Sequence, residues 1–401
     1  MVTLLVIFLF IYFPFEDWII SRLPFSGSTA VFLKQLPDAL LIVTYVYSAI
    51  RYRWLTNKTF IFFIFFVIYG LVLCLAYNTG ISVFANLKAL VRYIPLMFLY
   101  PYLRLNIKKM RKVFFYLLWF QLIIALVQFT IPNTATWFKP ASNIETELYT
   151  SSFQAIKNFH EISGTFSTTI GFCYFILIYY IFFGMSRLTL SISLFAVFLS
   201  GSKIIFALLL TLILWDFLKK FPKKIRYFYS TIGAILLIVF FPMYESILEI
   251  VVASPEKRSF TEIFTQSYWI KIVDLQRGAI VQYIILPLYA TYQIILGYGP
   301  SSDNIIPNIK NFGTSLNLDY YAGISEDVYA LTFIIYFGII GTVLFLIFIN
   351  SFYKRSINSA LTYRLLLTIL FLSFFNQTLE VKGFSFYFWL LIGNNIFFKK
   401  K

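Results

Sequence analysis

Long apolar runs separated by short polar and basic segments recur from one end of the chain to the other. The runs are continuous and do not alternate between apolar and polar residues, which favours membrane-spanning helices over a barrel. We therefore predict an all-α fold: one polytopic membrane helix bundle over residues 1–401 with about twelve transmembrane helices. The predicted spans are Val2–Phe15, Val31–Ile50, Phe60–Ala76, Ile81–Leu103, Val113–Ile131, Thr168–Phe183, Leu188–Leu199, Ile204–Leu218, Tyr227–Phe241, Leu331–Phe352, Leu361–Phe375 and Phe384–Phe398.

The segment Tyr244–Tyr329 departs from this pattern, because it is long, mixed in polarity and rich in tyrosine. We predict that residues 244–329 form one long external loop that contains membrane-surface helices. Its stretch Ala279–Leu296 is apolar enough to cross the membrane, but a crossing would move the later basic groups to the opposite side. Pro287 also interrupts that stretch, so we expect it to lie in the interface or to re-enter.

Most of the positive charges, 20 of the 33 Lys and Arg residues, lie in one set of alternate loops. The chain has 33 Lys and Arg against 17 Asp and Glu, and a net charge of +16. The positive-inside rule makes the basic side cytoplasmic, so both termini are predicted to be cytoplasmic and the long loop external. This distribution in small groups argues against nucleic acid as a partner. The basic groups are Arg51, Arg53, Lys58; Arg104, Lys108, Lys109, Arg111, Lys112; Arg187; Lys219, Lys220, Lys223, Lys224, Arg226; Lys354, Arg355, Arg364; and Lys399, Lys400, Lys401.

The composition also restricts the chemistry. Cys74 and Cys173 lie inside apolar runs, so we expect buried thiols and no disulfide. His160 is the one histidine, which excludes a histidine-based metal cluster. The cytoplasmic loops are too short for a nucleotide-sugar domain, and the sequence holds neither a P-loop nor a dinucleotide-binding fingerprint. We predict no metal and no cofactor.

Several cations fall at or near the predicted outer membrane face. Lys88 and Arg92 stand four residues apart in the fourth span, so they share one helical face. Two cations there either extend to the interface or bind an anion between them. Lys203, Arg258 and Arg277 are further outer-side cations, and together they suggest a site for a phosphate-bearing lipid. Lys34 and Asp38, also four apart, are interpreted as a pair that neutralises itself.

The long loop supplies candidate groups for sugar chemistry. Tyr298, Tyr320 and Tyr321 are aromatic platforms on which sugar rings could stack, although membrane proteins also use such rings as interfacial anchors. Glu326 and Asp327 form an acidic pair just before a predicted span. A carboxylate there serves either as a general base on a hydroxyl or as a helix N-cap.

The order of several short motifs resembles that of the O-antigen polymerase (Wzy) family, within the superfamily of O-antigen polymerases and ligases. Each motif is weak alone, and their order together with the long external loop carries the resemblance. They are Leu36-Pro37-Asp38-Ala39-Leu40, Leu87-Lys88-Ala89-Leu90-Val91-Arg92-Tyr93, His160-Glu161-Ile162-Ser163-Gly164-Thr165-Phe166, Leu199-Ser200-Gly201-Ser202-Lys203, Leu296-Gly297-Tyr298-Gly299-Pro300 and Glu326-Asp327 before Gly338-Ile339-Ile340-Gly341.

The resemblance implies a membrane glycosyltransferase of the GT-C type in the bacterial inner membrane. Its substrate would be an oligosaccharide linked to undecaprenyl pyrophosphate, with membrane lipids around it, and a chain-length regulator protein is a partner that such an enzyme could have. The cations would bind the pyrophosphate, and Glu326, Asp327 or His160 would act as the base. Two positions depart from the family pattern: Lys203 stands where arginine is common, and Glu326-Asp327 where ligases often carry His-Asn.

Three other functions remain open on the sequence. An O-antigen ligase would share this architecture but transfer the glycan to the lipid A core. A flippase for lipid-linked oligosaccharides would have a similar number of spans and a cationic cavity, without needing a long external loop. A secondary transporter would show broken spans in matching positions of two halves.

Overall fold

The computed structural model describes residues 2–22, 27–77, 81–103, 105–130, 163–166, 168–200, 202–218, 222, 286–289, 291–300, 329–373 and 381–397. Within these ranges the chain is helical and contains no strand, which agrees with the all-α prediction. The α-helices are α1 Val2–Tyr12, α2 Glu16–Arg22, α3 Gly27–Arg51, α4 Lys58–Tyr77, α5 Ile81–Val91, α6 Leu96–Leu99, α7 Ile107–Thr130, α8 Thr169–Phe183, α9 Arg187–Leu199, α10 Lys203–Leu218, α11 Leu286–Tyr289, α12 Tyr329–Tyr353, α13 Ser359–Ser373 and α14 Lys382–Phe397.

Five segments are long and apolar enough to cross a membrane, and they fit a multi-pass membrane protein. They lie where the first, second, third, fifth and tenth spans were predicted. The total of twelve spans stays a prediction, because α8, α9 and α10 are shorter than a bilayer requires and Tyr227–Phe241 lies outside the described residues. The candidate spans are Val2–Ile20, Thr29–Arg51, Lys58–Tyr77, Ile107–Thr130 and Tyr329–Tyr353.

The chain divides into two compact units, which are described separately. Unit 1 comprises Met1–Ile7, Gln35–Ile107 and Ile270–Lys401. Unit 2 comprises Phe8–Lys34 and Lys108–Trp269. Most of the long loop predicted over 244–329 lies outside the described residues, apart from 286–289, 291–300 and Tyr329.

Local sequence signals explain where several helices begin and end. The side chain of Thr168 accepts a hydrogen bond from the amide of Gly171 and caps α8, which ends at Gly184 with φ +66°. Ser186 caps α9 in the same way, through the amide of Thr189. Such side chains satisfy amides that the first helical turn cannot. Apolar content therefore decides which runs become helical, and these polar residues decide their limits.

The predicted fourth span, Ile81–Leu103, was wrong as one continuous helix. Helix α5 ends at Val91, residues 92–95 form turns, and the short helix α6 is followed by a 3-10 turn at Tyr100–Tyr102. Pro95 explains much of this break, because proline lacks an amide donor and restricts the residue before it. The four residues of α6 are fully buried, so the broken segment forms part of the core of unit 1.

A second interruption occurs inside α12, where Gly338 adopts φ 64° and ψ −178°. This conformation is accessible to glycine and strained for other residues, and it interrupts the i to i−4 hydrogen bonds around it. The carbonyls of Ile335 and Tyr336 instead accept hydrogen bonds from the amides of Tyr298 and Gly299, each at 2.9 Å. The break in α12 is therefore closed by an irregular segment of the same unit.

The two backbones meet closely at this point, because both crossing residues are glycines. A Cβ atom added to Gly297 would lie 2.5 Å from the nitrogen of Gly338. One added to Gly338 would lie 2.4 Å from the carbonyl carbon of Leu296. We call this contact the backbone crossing. It joins two of the sequence motifs, Leu296–Pro300 and Gly338–Gly341. Beside it, the rings of Phe66 in α4 and Phe337 pack with centroids 5.1 Å apart.

One end of unit 1 collects residues that neighbour the basic groups. The rings of Tyr52 and Tyr102 stack with centroids 3.7 Å apart. Arg355 donates a hydrogen bond to Asn57, and the amide of Ile357 donates to the carbonyl of Asn395 at 3.0 Å. In this unit, the segment around Asn57 therefore contacts the segment around Arg355, two of the segments that charge assigned to the basic side.

Replacing Gly338 by alanine should destabilise the protein strongly, because the new Cβ both forces a strained backbone conformation and collides with the chain at Leu296. Gly184→Ala is a matched control: its backbone has nearly the same angles, φ 66° and ψ 173°, but nothing lies within 4 Å of the added atom. Strain alone costs about 1–3 kcal/mol. The Tm in detergent should fall clearly further for Gly338→Ala than for Gly184→Ala, and equal losses would contradict the steric role of the crossing.

Candidate functional site

The clearest concentration of charge in unit 1 is formed by α3 and the segment that ends α5. Asp38 accepts a hydrogen bond from the Tyr93 hydroxyl on Oδ1 at 2.9 Å. Its other oxygen, Oδ2, lies 3.4 Å from Lys88 Nζ and 3.1 Å from Arg92 Nη1. These four residues are called the ion cluster. Two sequence motifs that are about 50 residues apart along the chain therefore form one site.

The local sequence places each member of the ion cluster. Asp38 follows Pro37, which lies inside α3 and removes one helical hydrogen bond there. Lys88 and Arg92 lie one helical turn apart at the end of α5, and the amide of Arg92 still donates to the carbonyl of Lys88 at 2.9 Å. The chain then turns, and the guanidinium of Arg92 lies 4.9 Å from the centre of the Tyr93 ring. The break in the fourth span thus brings Tyr93 and both cations to the same carboxylate.

Among the residues that the structure describes, the ion cluster holds two cations and one carboxylate, whose charges sum to +1. Asp38 is 3% exposed, whereas the side chains of Arg92 and Lys88 are 15% and 38% exposed. A cation in the middle of a membrane helix costs roughly 2.5–3.5 kcal/mol on insertion scales. Asp38 offsets part of that cost, since a buried charge needs a partner and hydrogen bonds. The arrangement can attract an anion to the more exposed side of Lys88 and Arg92.

The predicted pair of Lys34 and Asp38 was wrong. Lys34 Nζ instead lies 2.8 Å from Asp17 Oδ1 in unit 2, while Asp38 pairs with Lys88 and Arg92 in unit 1. Sequence spacing identified the two residues as neighbours on one helix but could not reveal competing partners on other helices. Lys88 and Arg92 therefore share the carboxylate of Asp38, a partner that the spacing rule did not assign to them.

The motif Leu296–Pro300 is held by side chains that sequence analysis did not single out. The Tyr69 hydroxyl donates to the carbonyl of Leu296, and the Tyr77 hydroxyl donates to that of Gly297 at 2.7 Å. Gln293 Nε2 in turn donates to the Tyr77 hydroxyl at 2.6 Å. Both tyrosines belong to α4 and stand eight residues apart, so they project from a similar face of that helix. This spacing of polar tips in an apolar span was the signal available in the sequence.

Tyr298 is buried, so its ring packs inside unit 1. Its hydroxyl lies 2.7 Å from the hydroxyl of Thr291, and its amide bonds α12 at the backbone crossing. Burial raises the pKa of the Tyr298 hydroxyl above its usual value. These contacts give Tyr298 a structural role, and its contact with a glycan stays a prediction.

In unit 2, two glutamines of α7 hold the segment Ser163–Phe166. Gln128 Oε1 accepts from the amides of Ser163 and Gly164 at 3.2 and 3.0 Å, and its Nε2 donates to the Gly164 carbonyl. Gln121 accepts from the amide of Thr165 at 2.9 Å and donates to its hydroxyl. A buried amide side chain can satisfy backbone groups in this way. Sequence analysis missed both glutamines, which stand seven residues apart in an otherwise apolar span.

The motif that precedes Lys203 forms a tight connection between α9 and α10 in unit 2. The Ser200 hydroxyl donates to the carbonyl of Val197 at 2.7 Å and lies 3.0 Å from the thiol of Cys173. Cys74 and Cys173 are both buried, as predicted. Lys203 is the first residue of α10, and its role in binding pyrophosphate stays a prediction.

Seven other predicted site residues lie outside the described residues. Their predicted roles were general base, pyrophosphate binding and glycan binding. All of these roles stay predictions. The residues are Glu326, Asp327, His160, Arg258, Arg277, Tyr320 and Tyr321.

Comparison with known proteins gives no match to a family model, a curated protein or a solved structure. The resemblance to O-antigen polymerases therefore rests on the motifs quoted above and stays a prediction. The geometry adds that the motif around Asp38 joins the one around Lys88 and Arg92, and that Leu296–Pro300 joins Gly338–Gly341.

Tyr93→Phe should destabilise the protein by removing the hydroxyl that donates to the buried carboxylate of Asp38. Hydrogen bonds to charged groups contribute about 1.5–3 kcal/mol, against about 1 kcal/mol for neutral pairs. Tyr100→Phe is the matched control, because Tyr100 is equally buried but donates to the neutral amide oxygen of Asn394 at 2.9 Å. The Tm in detergent should fall more for Tyr93→Phe, and the reverse order would argue against a charged Asp38.

Proposed function

We propose that the chain is a surface-polysaccharide polymerase of the O-antigen type. It joins repeat units linked to undecaprenyl pyrophosphate by glycosyl transfer, on the outer face of the bacterial inner membrane. The observation that carries the proposal is the ion cluster, in which Lys88 and Arg92 share one carboxylate oxygen of Asp38, so that the charges of these three residues sum to +1. A diphosphate would supply the missing negative charge, and arginine can bind two of its oxygens at once.

The depth of the ion cluster supports this proposal. Asp38 and Arg51 are separated by thirteen residues of α3, or about 20 Å at the rise of an α-helix. Arg51 lies next to Tyr52, at the end of unit 1 where the segments around Asn57 and Arg355 meet. If that end is cytoplasmic, as the positive-inside rule indicates, the cluster lies in the outer half of a hydrocarbon layer about 30 Å thick. This is the depth at which the head group of an outward-facing lipid donor would be reached.

The proposed reaction needs no cofactor. A hydroxyl of the acceptor glycan attacks the anomeric carbon of the donor and forms the new glycosidic bond, while the bond from that carbon to the lipid pyrophosphate breaks. The base, Glu326 or Asp327 with His160 as the next candidate, takes the hydroxyl proton, and the pyrophosphate leaves with the electron pair. Lys88 and Arg92, together with Lys203, Arg258 and Arg277, stabilise the leaving charge. Tyr298, Tyr320 and Tyr321 are the proposed glycan contacts.

Deletion of the gene, followed by a gel of the surface glycan, tests the proposed function. Loss of the ladder with one repeat unit still attached is expected, because a polymerase acts only after the first unit has been assembled and exported. A ligase or a flippase is required for any attachment at all. Complete loss of attached glycan would therefore favour one of these alternatives and overturn the proposal.

Replacing Arg92 should impair polymer synthesis from purified lipid-linked repeat units. Arg92→Ala removes the charge, and Arg92→Lys keeps the charge but loses the planar fork, so both variants should lose about tenfold or more of the rate. Lys34→Ala is the matched control, because Lys34 is also a cation that pairs with a carboxylate, in its case that of Asp17. Normal turnover and donor binding in Arg92→Ala would remove this residue from the site.

A further inference from the structure

The ion cluster contains its own anion. Both Lys88 Nζ and Arg92 Nη1 lie on the same oxygen of Asp38, at 3.4 and 3.1 Å, while the other oxygen is held by the Tyr93 hydroxyl at 2.9 Å. The carboxylate is buried and the cations are more exposed. The carboxylate therefore stands on the inner side of the two groups that an incoming anion would contact.

We propose that Asp38 is a built-in counter-ion that occupies the place of a ligand phosphate and competes with a bound diphosphate for Lys88 and Arg92. The inference rests on the proposed function, since it takes the ligand to be a diphosphate. In the ligand-free state, Asp38 keeps the two cations from repelling each other in an apolar environment. When the diphosphate binds, its oxygens replace Asp38 Oδ2 as the main partner of the cations. When the diphosphate leaves, Asp38 takes its partners back.

Tyr45 is a further buried polar side chain on the helix that carries Asp38. It is 7% exposed, and its hydroxyl has no hydrogen-bond partner among the residues that the structure describes. It stands seven residues after Asp38 on α3, on the same helical face, and the charges of Asp38 and Arg92 both act on it. Helical side chains point back towards the N-terminus, so Tyr45 points towards Asp38.

The ion pair of Asp17 and Lys34 differs from the ion cluster, because among the described residues its carboxylate contacts one cation and not two. There one carboxylate lies 2.8 Å from one cation, and both side chains are partly exposed. The pair holds one charge of each sign, so Asp17→Asn removes the carboxylate from beside one partly exposed cation, whereas Asp38→Asn removes it from beside two. Asp17→Asn is therefore a matched control for Asp38→Asn: both remove one negative charge from an ion pair near the start of the chain.

The test measures binding of two probes, inorganic pyrophosphate and undecaprenyl pyrophosphate, to the purified full-length protein in nanodiscs. Asp38→Asn keeps the size of the side chain and an oxygen for the Tyr93 hydroxyl, but removes the competing charge. We expect its Kd for at least one probe to fall about fivefold or more, a change typical of coupled binding events. Tighter binding of both probes would assign recognition to the diphosphate itself. Tighter binding of the lipid probe alone would mean that the undecaprenyl chain is also needed.

Two variants make the result specific. Asp17→Asn should leave both affinities unchanged, and the double variant Asp38→Asn with Arg92→Ala should lose the gain. Unchanged or weaker binding in Asp38→Asn would overturn the counter-ion, as would an equal gain in Asp17→Asn. If Asp38→Asn does not fold in the absence of ligand, purification with pyrophosphate should restore the folded protein, because the ligand then supplies the missing anion. Failure of that rescue would also overturn the proposal.

Polymer synthesis tests the proposed function and the affinity gain of Asp38→Asn tests the counter-ion, so the two can fail separately. Polymer synthesis by the wild-type protein without an affinity gain in Asp38→Asn would leave the polymerase intact and remove the counter-ion. A gain in pyrophosphate affinity in a protein that makes no polymer would leave the counter-ion intact and remove the polymerase.

Discussion

The need to satisfy every backbone amide and carbonyl within an apolar environment governs this structure. Regular helices meet that need alone, so each departure from a helix requires a partner from elsewhere. At Gly338 the partners are the amides of Tyr298 and Gly299, and in unit 2 the backbone of Ser163–Thr165 is bonded by Gln121 and Gln128. Gln121, Gln128, Tyr69 and Tyr77 therefore stand in apolar helices where they can bond irregular backbone.

The same requirement applies to charge. Lys88 and Arg92 lie at the end of an apolar helix, and Asp38 contacts them from another helix. The hydroxyl of Tyr93, the residue after Arg92, donates to the same carboxylate. A neutral cluster would be a purely structural solution. The charges of the ion cluster's described members sum to +1, and charged groups within apolar segments are expected at functional sites. In the proposed function, these contacts would serve both stability and ligand binding.

The sequence predicted well what depends on composition. The prediction of a span at Val31–Ile50 agrees with the segment Thr29–Arg51, and that at Leu331–Phe352 agrees with Tyr329–Tyr353, because apolar length decides whether a helix can cross. Contacts between helices were less accessible. The i, i+4 rule paired Lys34 with Asp38, although Asp17 and Lys88 compete from other helices. The break after Val91 was missed because mean hydropathy does not show that a proline interrupts a helix. The roles of four polar residues were missed because they depend on irregular backbone, which hydropathy does not show either; these residues are Gln121, Gln128, Tyr69 and Tyr77.

The backbone crossing also sets an order for biogenesis. The ribosome produces α4 first, then Gln293–Gly299 and last α12. Tyr69 and Tyr77 are therefore already in place to bond the carbonyls of Leu296 and Gly297 when that segment is synthesised. The amides of Tyr298 and Gly299 precede the carbonyls of Ile335 and Tyr336 in the same way. Until α12 docks, its break at Gly338 would face lipid with unbonded carbonyls, so the helix can settle in the bilayer only after the earlier elements have assembled.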